Sequence, residues 1–85
     1  MNRITIYSSM FCPYCHRAKA LLRQKGVKYE EIDVDSTPGA RPEMTRRASG
    51  GYTVPQIFIG GAHVGGCDEL YALDSAGKLD AMLVG

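Results

Sequence analysis

The stretch "RITIYSSMFCPYCHRAKALLRQKG" (3–26) changes its hydrophobic period part-way along, and that change decides the fold. "RITIYS" (3–8) alternates, with Ile4 and Ile6 on one face and Thr5 and Tyr7 on the other, as a strand does. From Pro13 to Lys25 the spacing is helical. Tyr14, Ala18, Leu21 and Leu22 fall on one face, and Arg17, Lys19, Arg23 and Gln24 mostly elsewhere. Pro13 suits the first helical turn, where its missing N–H would be unpaired anyway. Gly26 suits the C-cap, and Lys25 the negative end of the helix dipole. Two cysteines, Cys12 and Cys15, stand where strand gives way to helix.

Outward from this unit the chain keeps alternating. "VKYEEIDVD" (27–35) reads as a second strand, charged enough for a sheet edge. "STPGARPEM" (36–44) is a loop running into a helix that begins near Arg41, because Pro42 is tolerated only in a first turn, and ends at Gly50–Gly51. "PQIFIGGAHVGG" (55–66) reads as two strands joined at Gly60–Gly61, a hairpin signal. "CDELYALDSAG" (67–77) is a helix with acidic residues in its first turn, and "KLDAMLV" (78–84) adds a short final one. The order β-α-β-α-β-β-α implies parallel pairing early and an antiparallel hairpin late. There is no internal repeat, low-complexity tract or linker, and 85 residues suffice for one domain, taken as 1–85.

Composition narrows the function classes. A formal net charge of +1 gives no general attraction to nucleic acid or to an acidic membrane. No apolar run is long enough to span a bilayer, and the alternating start does not resemble a signal peptide. Three cysteines, an odd count, do not suit a disulfide scaffold. Thiols kept for chemistry point to a reducing compartment, the cytoplasm.

Cys12 falls where the unpaired N–H groups and the dipole of the first helix converge. Both favour a thiolate, the nucleophilic form, at such a position. Cys15, one turn further in, is near enough to form a disulfide but more shielded. The pattern therefore makes Cys12 the attacker and Cys15 the resolver. Other chemistries remain open for a Cys-x-x-Cys. Structural zinc needs four ligands, for which Cys67 with His16 or His63 lacks the usual spacing. Haem attachment needs a His directly after the second Cys, and His16 is there. His16 itself reads as a solvated surface residue, whereas Tyr14, between the cysteines, reads as part of the site.

"CPYC" after a first strand, "TVPQIFI" (53–59) and "GGCDEL" (65–70), in that order, resemble the dithiol glutaredoxins, and the length and element order are similar to a short bacterial-type member. The resemblance implies the thioredoxin-like α/β fold, a four-stranded mixed sheet with helices on both faces. It implies a cis Val54–Pro55 bond facing the Cys12 sulfur, with the Val54 backbone left to pair with the cysteinyl unit of glutathione. The matching site residues are Tyr14, Thr53, Val54, Pro55, Gly66, Cys67 and Asp68. The N–H groups opening the helix at Cys67 and Asp68 would take the γ-glutamyl carboxylate, and the Asp68 side chain the ammonium. Where members often carry Lys and Arg, this chain has Ser9 and Tyr52, so Arg41, Arg46 or Arg47, or the helix dipole alone, are the candidates for the far carboxylate. Cys67 reads as a small space-filling residue beside that site.

The implied activity is glutathione-dependent reduction of protein disulfides and glutathione mixed disulfides through Cys12 and Cys15, in electron transport and redox homeostasis. Glutathione is the co-substrate and no metal is expected. The implied partners are disulfide-bonded or glutathionylated proteins, ribonucleotide reductase among them, with glutathione reductase and NADPH recycling the electrons. Neither nucleic acid nor membrane is a partner, and the chain is expected to be a monomer. The competing readings are a redoxin reduced by thioredoxin reductase and an iron–sulfur or metal-binding module.

Overall fold

All five residues of β1 (Ile4–Ser8) are buried, so this strand is covered on both faces and lies inside the sheet. The computed structural model describes residues 2–84; Met1 and Gly85, the ends of the expected domain, lie outside the described residues. After β1 come α1 (Pro13–Gln24), β2 (Glu30–Asp33), α2 (Ala40–Arg47), β3 (Gln56–Ile59), β4 (Ala62–Gly65), α3 (Cys67–Ser75) and α4 (Leu79–Val84). The sheet order is β2-β1-β3-β4. β1 pairs parallel with β2 and antiparallel with β3, and β3–β4 is the antiparallel hairpin. The α/β order, the mixed four-stranded sheet and the edge position of β2 are as the sequence implies.

Alternation along β1 and β3 sorts the core into two layers. Ile4, Ile6, Ile57 and Ile59 face α1, α3 and α4, packing with Ala18, Leu22, Leu70, Leu79 and Leu83. Tyr7 and Phe58 face α2, packing with Met44, Ala40 and Ala48. Helices therefore cover both faces of the sheet. Each buried Leu or Ile contributes about 1.5–3 kcal/mol by leaving water, so these layers supply most of the drive to fold.

Several boundaries move for local reasons. β2 is shorter than the expected 27–35. Val27 is used to close α1, and beyond Asp33 the chain turns as the Asp33 carboxylate accepts the Asp35 N–H at 2.9 Å. At Gly60–Gly61 both residues have positive φ, 58° and 86°, as a type I′ hairpin turn demands. β4 carries a bulge: Ile57 pairs with Gly65 but Phe58 pairs with His63, leaving Val64 as the extra residue.

α1, α2 and α3 end alike. In α1 the Gly26 N–H donates to Arg23 O and the Val27 N–H to Leu22 O; in α3, Gly77 and Lys78 repeat this onto Asp74 and Leu73. Lys25, at the end of α1, also pairs with Asp74 at 2.6 Å and Asp80 at 2.9 Å, tying α1 to the α3–α4 junction. In α2 the helix stops at Arg47 rather than at Gly50–Gly51. The left-handed place after its cap is filled by Ser49, at φ 54°, with Gly50 N–H donating to Thr45 O. A side chain in that region costs about 1–2 kcal/mol, partly offset by the extra freedom a glycine brings to the unfolded chain. Ser49→Gly should therefore stabilise the protein by about 0.5–1 kcal/mol, read as a higher urea midpoint at unchanged slope.

Candidate active site

Cys12 is the N-cap of α1. Its backbone is extended (φ −102°, ψ 108°), and its sulfur accepts the Cys15 N–H at 3.2 Å. A sulfur thus stands where a Ser or Asp oxygen would normally cap the helix. The Cys12 thiol also donates to Val54 O at 3.6 Å, and the Val54–Pro55 bond is cis. Cys12 is half-buried, whereas Cys15 and Cys67 are buried. Burial, then the hydrogen bond with Cys12, pushes the Cys15 thiol up to about 12. Cys15 is thus a proton-holding thiol at neutral pH, and the difference in burial between the two thiols is built into where the helix starts.

Beside Cys12 opens a cleft lined by Tyr14, Thr53, Val54, Pro55, Gly66, Cys67, Asp68 and Glu69, with about 180 Å³ of water-accessible space. Every site residue expected beyond the two cysteines lies on this wall. Tyr14 is exposed on it rather than packed with Ala18, Leu21 and Leu22, because α1 buries the face carrying Cys15, Ala18, Lys19, Leu21 and Leu22. No side chain caps the N–H groups that open α3. Gly66, a glycine, has none to offer, while its own N–H is taken by Glu69 Oε1 at 2.7 Å. Gly65 makes this possible. It sits at φ 115°, and a Cβ there would lie 2.9 Å from Glu69 Oε1. The Cys67 thiol is raised, chiefly by burial.

The loop bearing Thr53 is held from the α2 face of the sheet. Gln56 Nε2 donates to Thr53 O at 3.0 Å, and Gln56 Oε1 lies 2.7 Å from His63 Nε2. His63 stacks on Phe58, with ring centroids 5.0 Å apart. Arg47 lies over Phe58 at 4.3 Å and donates to Tyr7 Oη at 2.7 Å, and that hydroxyl donates to Glu43. Arg47, though exposed, is therefore committed to the Tyr7–Phe58 pair. Arg41 pairs with Asp35 at 2.8 Å, and the Ser9 hydroxyl donates to the same carboxylate. None of Arg41, Arg46 and Arg47, the candidates for the far carboxylate, lines the cleft. His16 is exposed as expected, but its Nε2 lies 2.7 Å from Met10 O and fastens the loop before Cys12 to α1.

Two features escaped the sequence reading. Glu69 lines the cleft, and its three-residue spacing from Gly66 is that of a capping box. Lys19 was assigned to the solvent face but is buried, with Nζ 2.8 Å from Glu31 Oε2, to which Ser8 Oγ donates at 2.6 Å. The signal was present, since Lys19 stands four residues from Cys15 and so shares its face. This partnership holds the Glu31 carboxyl below its ordinary range. Among the described residues, no group of three or more His, Cys, Asp or Glu is placed to hold a metal ion, and no helix is long and apolar enough to cross a membrane.

The glutaredoxin family model matches residues 4–64, from β1 through the hairpin. The chain belongs to the glutaredoxin family. It is 55% identical to glutaredoxin 3 of Escherichia coli K12, over 98% of this chain and 99% of that one. It is 57% identical to a Pseudomonas aeruginosa glutaredoxin, over 98% of each. Among solved structures it is similar to a buckwheat glutaredoxin–glutathione complex, with a TM-score of 0.90 at 36% identity, covering 98% of this chain and 77% of that one. The Brucella melitensis glutaredoxin gives a TM-score of 0.84 at 58% identity, covering 98% and 89%. As a glutaredoxin, the protein is a thiol–disulfide oxidoreductase of thioredoxin-like fold. In the folded, reduced glutaredoxin at pH 7, brief iodoacetamide treatment should alkylate Cys12 and spare Cys15 and Cys67, both buried with raised thiols. Peptide mass mapping before and after unfolding reads the outcome.

Proposed function

We propose that this glutaredoxin is glutathione-dependent, with Cys12 as nucleophile, Cys15 as resolver and the cleft as its glutathione site. The observation that carries this reading is the convergence of Thr53–Pro55 and the uncapped start of α3 beside the Cys12 sulfur. Glutathione offers a complement to each part. Its cysteinyl unit pairs with the Val54 backbone, with Thr53 and Pro55 shaping that wall. Its γ-glutamyl carboxylate takes the N–H groups of Gly66–Asp68, and its ammonium takes the Asp68 carboxylate. Tyr14 covers the side of the glutathione sulfur, and Cys67 fills the floor. The likeness to a glutaredoxin that was solved with glutathione supports the same assignment.

The chemistry is an exchange in which electrons move as sulfur–sulfur bonds change partners. The Cys12 thiolate attacks one sulfur of a protein disulfide; a Cys12–substrate bond forms and the other substrate sulfur leaves as a thiolate. Cys15, deprotonated, then attacks Cys12, releasing the second substrate thiolate and leaving the Cys12–Cys15 disulfide. One glutathione opens that disulfide by joining Cys12, and a second removes the first as oxidised glutathione. With a glutathionylated protein Cys12 takes the glutathione directly, and Cys15 is not needed. Glutathione reductase and NADPH close the cycle. We assign the reaction to the whole 1–85 stretch and to the cytoplasm, where such thiols are kept reduced. Ribonucleotide reductase is one protein-disulfide substrate this cycle would serve.

In a coupled assay with glutathione, glutathione reductase, NADPH and a small glutathione mixed disulfide, the protein should consume NADPH; no consumption overturns the proposal. Reduction of the oxidised protein by thioredoxin reductase but not by glutathione would favour the other donor. Cys12→Ser should abolish both deglutathionylation and protein-disulfide reduction, and Cys15→Ser should lose only the second. Asp68→Asn should raise KM for the glutathione mixed disulfide about tenfold, the loss of ~1.4 kcal/mol of binding, with kcat little changed.

A further inference from the structure

The face of α1 beneath the active site carries Cys15, Ala18, Lys19 and Leu22, and every one of them is buried. A lysine is out of place there. Its side chain is 11% exposed, whereas its partner Glu31 is 38% exposed. An apolar side chain at this position would pack without the desolvation that a buried ammonium requires. β1 shows the same change of character. Ile4, Ile6 and Ser8 share the face toward α1, and at the end nearest the cysteines the apolar row gives way to a hydroxyl bonded to Glu31. A second cleft, lined by Met10, His16, Lys19, Glu31 and Asp33, opens this polar cluster to water. Electrostatically the pair is lopsided. The anion is the more solvated and also accepts the Ser8 hydroxyl, while the cation, one helical turn from Cys15, is the more buried of the two and so the less screened.

We propose that Lys19 is a positioning residue for the resolving step: held by Glu31 and Ser8 under Cys15, its ammonium stabilises the Cys15 thiolate as that sulfur attacks the Cys12 mixed disulfide. The proposal rests on the assignment of Cys15 as resolver. The step balances as follows. Cys15 gives its proton to water; its sulfur bonds to the Cys12 sulfur; the Cys12–substrate bond breaks, and the substrate leaves as a thiolate that solvent protonates. Substrate and enzyme exchange two electrons and no further reductant enters. The groups acting on Cys15 are Cys12 at the cap of α1, the Ser9 backbone and Lys19; Glu31 on β2 meets Lys19, and His16 and Asp33 line the same cleft, while the Cys67 thiol on α3 faces Cys12. A Ser9 backbone N–H and Lys19 both draw the Cys15 thiol downward, against burial and Cys12. Once Cys12 is bonded to substrate, its opposition as a neighbouring thiolate is gone and the pull of Lys19 remains.

The test compares pH profiles of protein-disulfide reduction under conditions where resolution limits the rate. Lys19→Met should slow the reaction about tenfold near neutral pH and move the profile about one unit alkaline, while Lys19→Arg, which keeps the charge, should restore it. Glu31→Gln removes the opposing anion and should move the profile acidic. Deglutathionylation in the Cys15→Ser background should be the same with Lys or Met at position 19. Shifts of Lys19→Met and Glu31→Gln in the same direction, no shift in either, or an equal fall in deglutathionylation would overturn the proposal. If Lys19→Met does not fold, Glu31→Gln decides alone: an acidic shift supports it, and no shift or an alkaline one defeats it. If Cys15→Ser itself reduces protein disulfides at the unmodified protein's rate, the resolver assignment fails, whatever the position-19 variants do.

Discussion

The hydrogen bond from the Cys15 amide to the Cys12 sulfur joins folding to chemistry in one atom. A helix needs an acceptor for its first N–H groups, and here that acceptor is the Cys12 sulfur. The start of α1 therefore positions the Cys12 sulfur, the nucleophile of the proposed reaction, points the helix dipole at it and buries the second thiol a turn below. Any change in the bonding of Cys12 is also a change in the cap of α1. Because α1 packs on β1 and α3, the junction is braced by the larger of the two core layers.

The second brace comes from the opposite face of the sheet. Thr53 is held by Gln56, Gln56 meets His63, and His63 stacks on Phe58, which Arg47 covers while bonding Tyr7. This chain of contacts runs through the sheet rather than along the backbone. It joins the loop that faces Cys12 to α2, which itself contributes nothing to the wall of the cleft. Burial and the contact with Glu43 hold the Tyr7 phenol protonated, so the network keeps one hydrogen-bond direction over ordinary pH.

Much of this architecture was legible in the chain. The switch from period two to period 3.6 at the Cys12–Pro13 junction, the Gly60–Gly61 turn and the late hairpin follow from backbone rules that tertiary packing does not overturn. The cleft residues followed from the family resemblance, because "CPYC", "TVP" and "GGCDE" are distant in sequence and only folding brings them together. What was hidden depends on which way a helix faces. Tyr14 and Lys19 exchanged places relative to a simple amphipathic reading, since a lysine can be buried when Glu31 on a neighbouring strand meets it. The arginines of α2 were likewise undecidable from composition; Arg41 and Arg47 proved to be committed to Asp35 and to the Tyr7–Phe58 pair.

The bulge at Val64 bears on how the protein meets other chains. β4 is one rim of the sheet, four residues long and kinked at its centre, and the other rim, β2, carries Glu30 and Glu31. Exposed strand edges are templates on which foreign chains align and polymerise. With one rim broken by the bulge and the other guarded by acidic side chains, the sheet offers other chains little on which to aggregate.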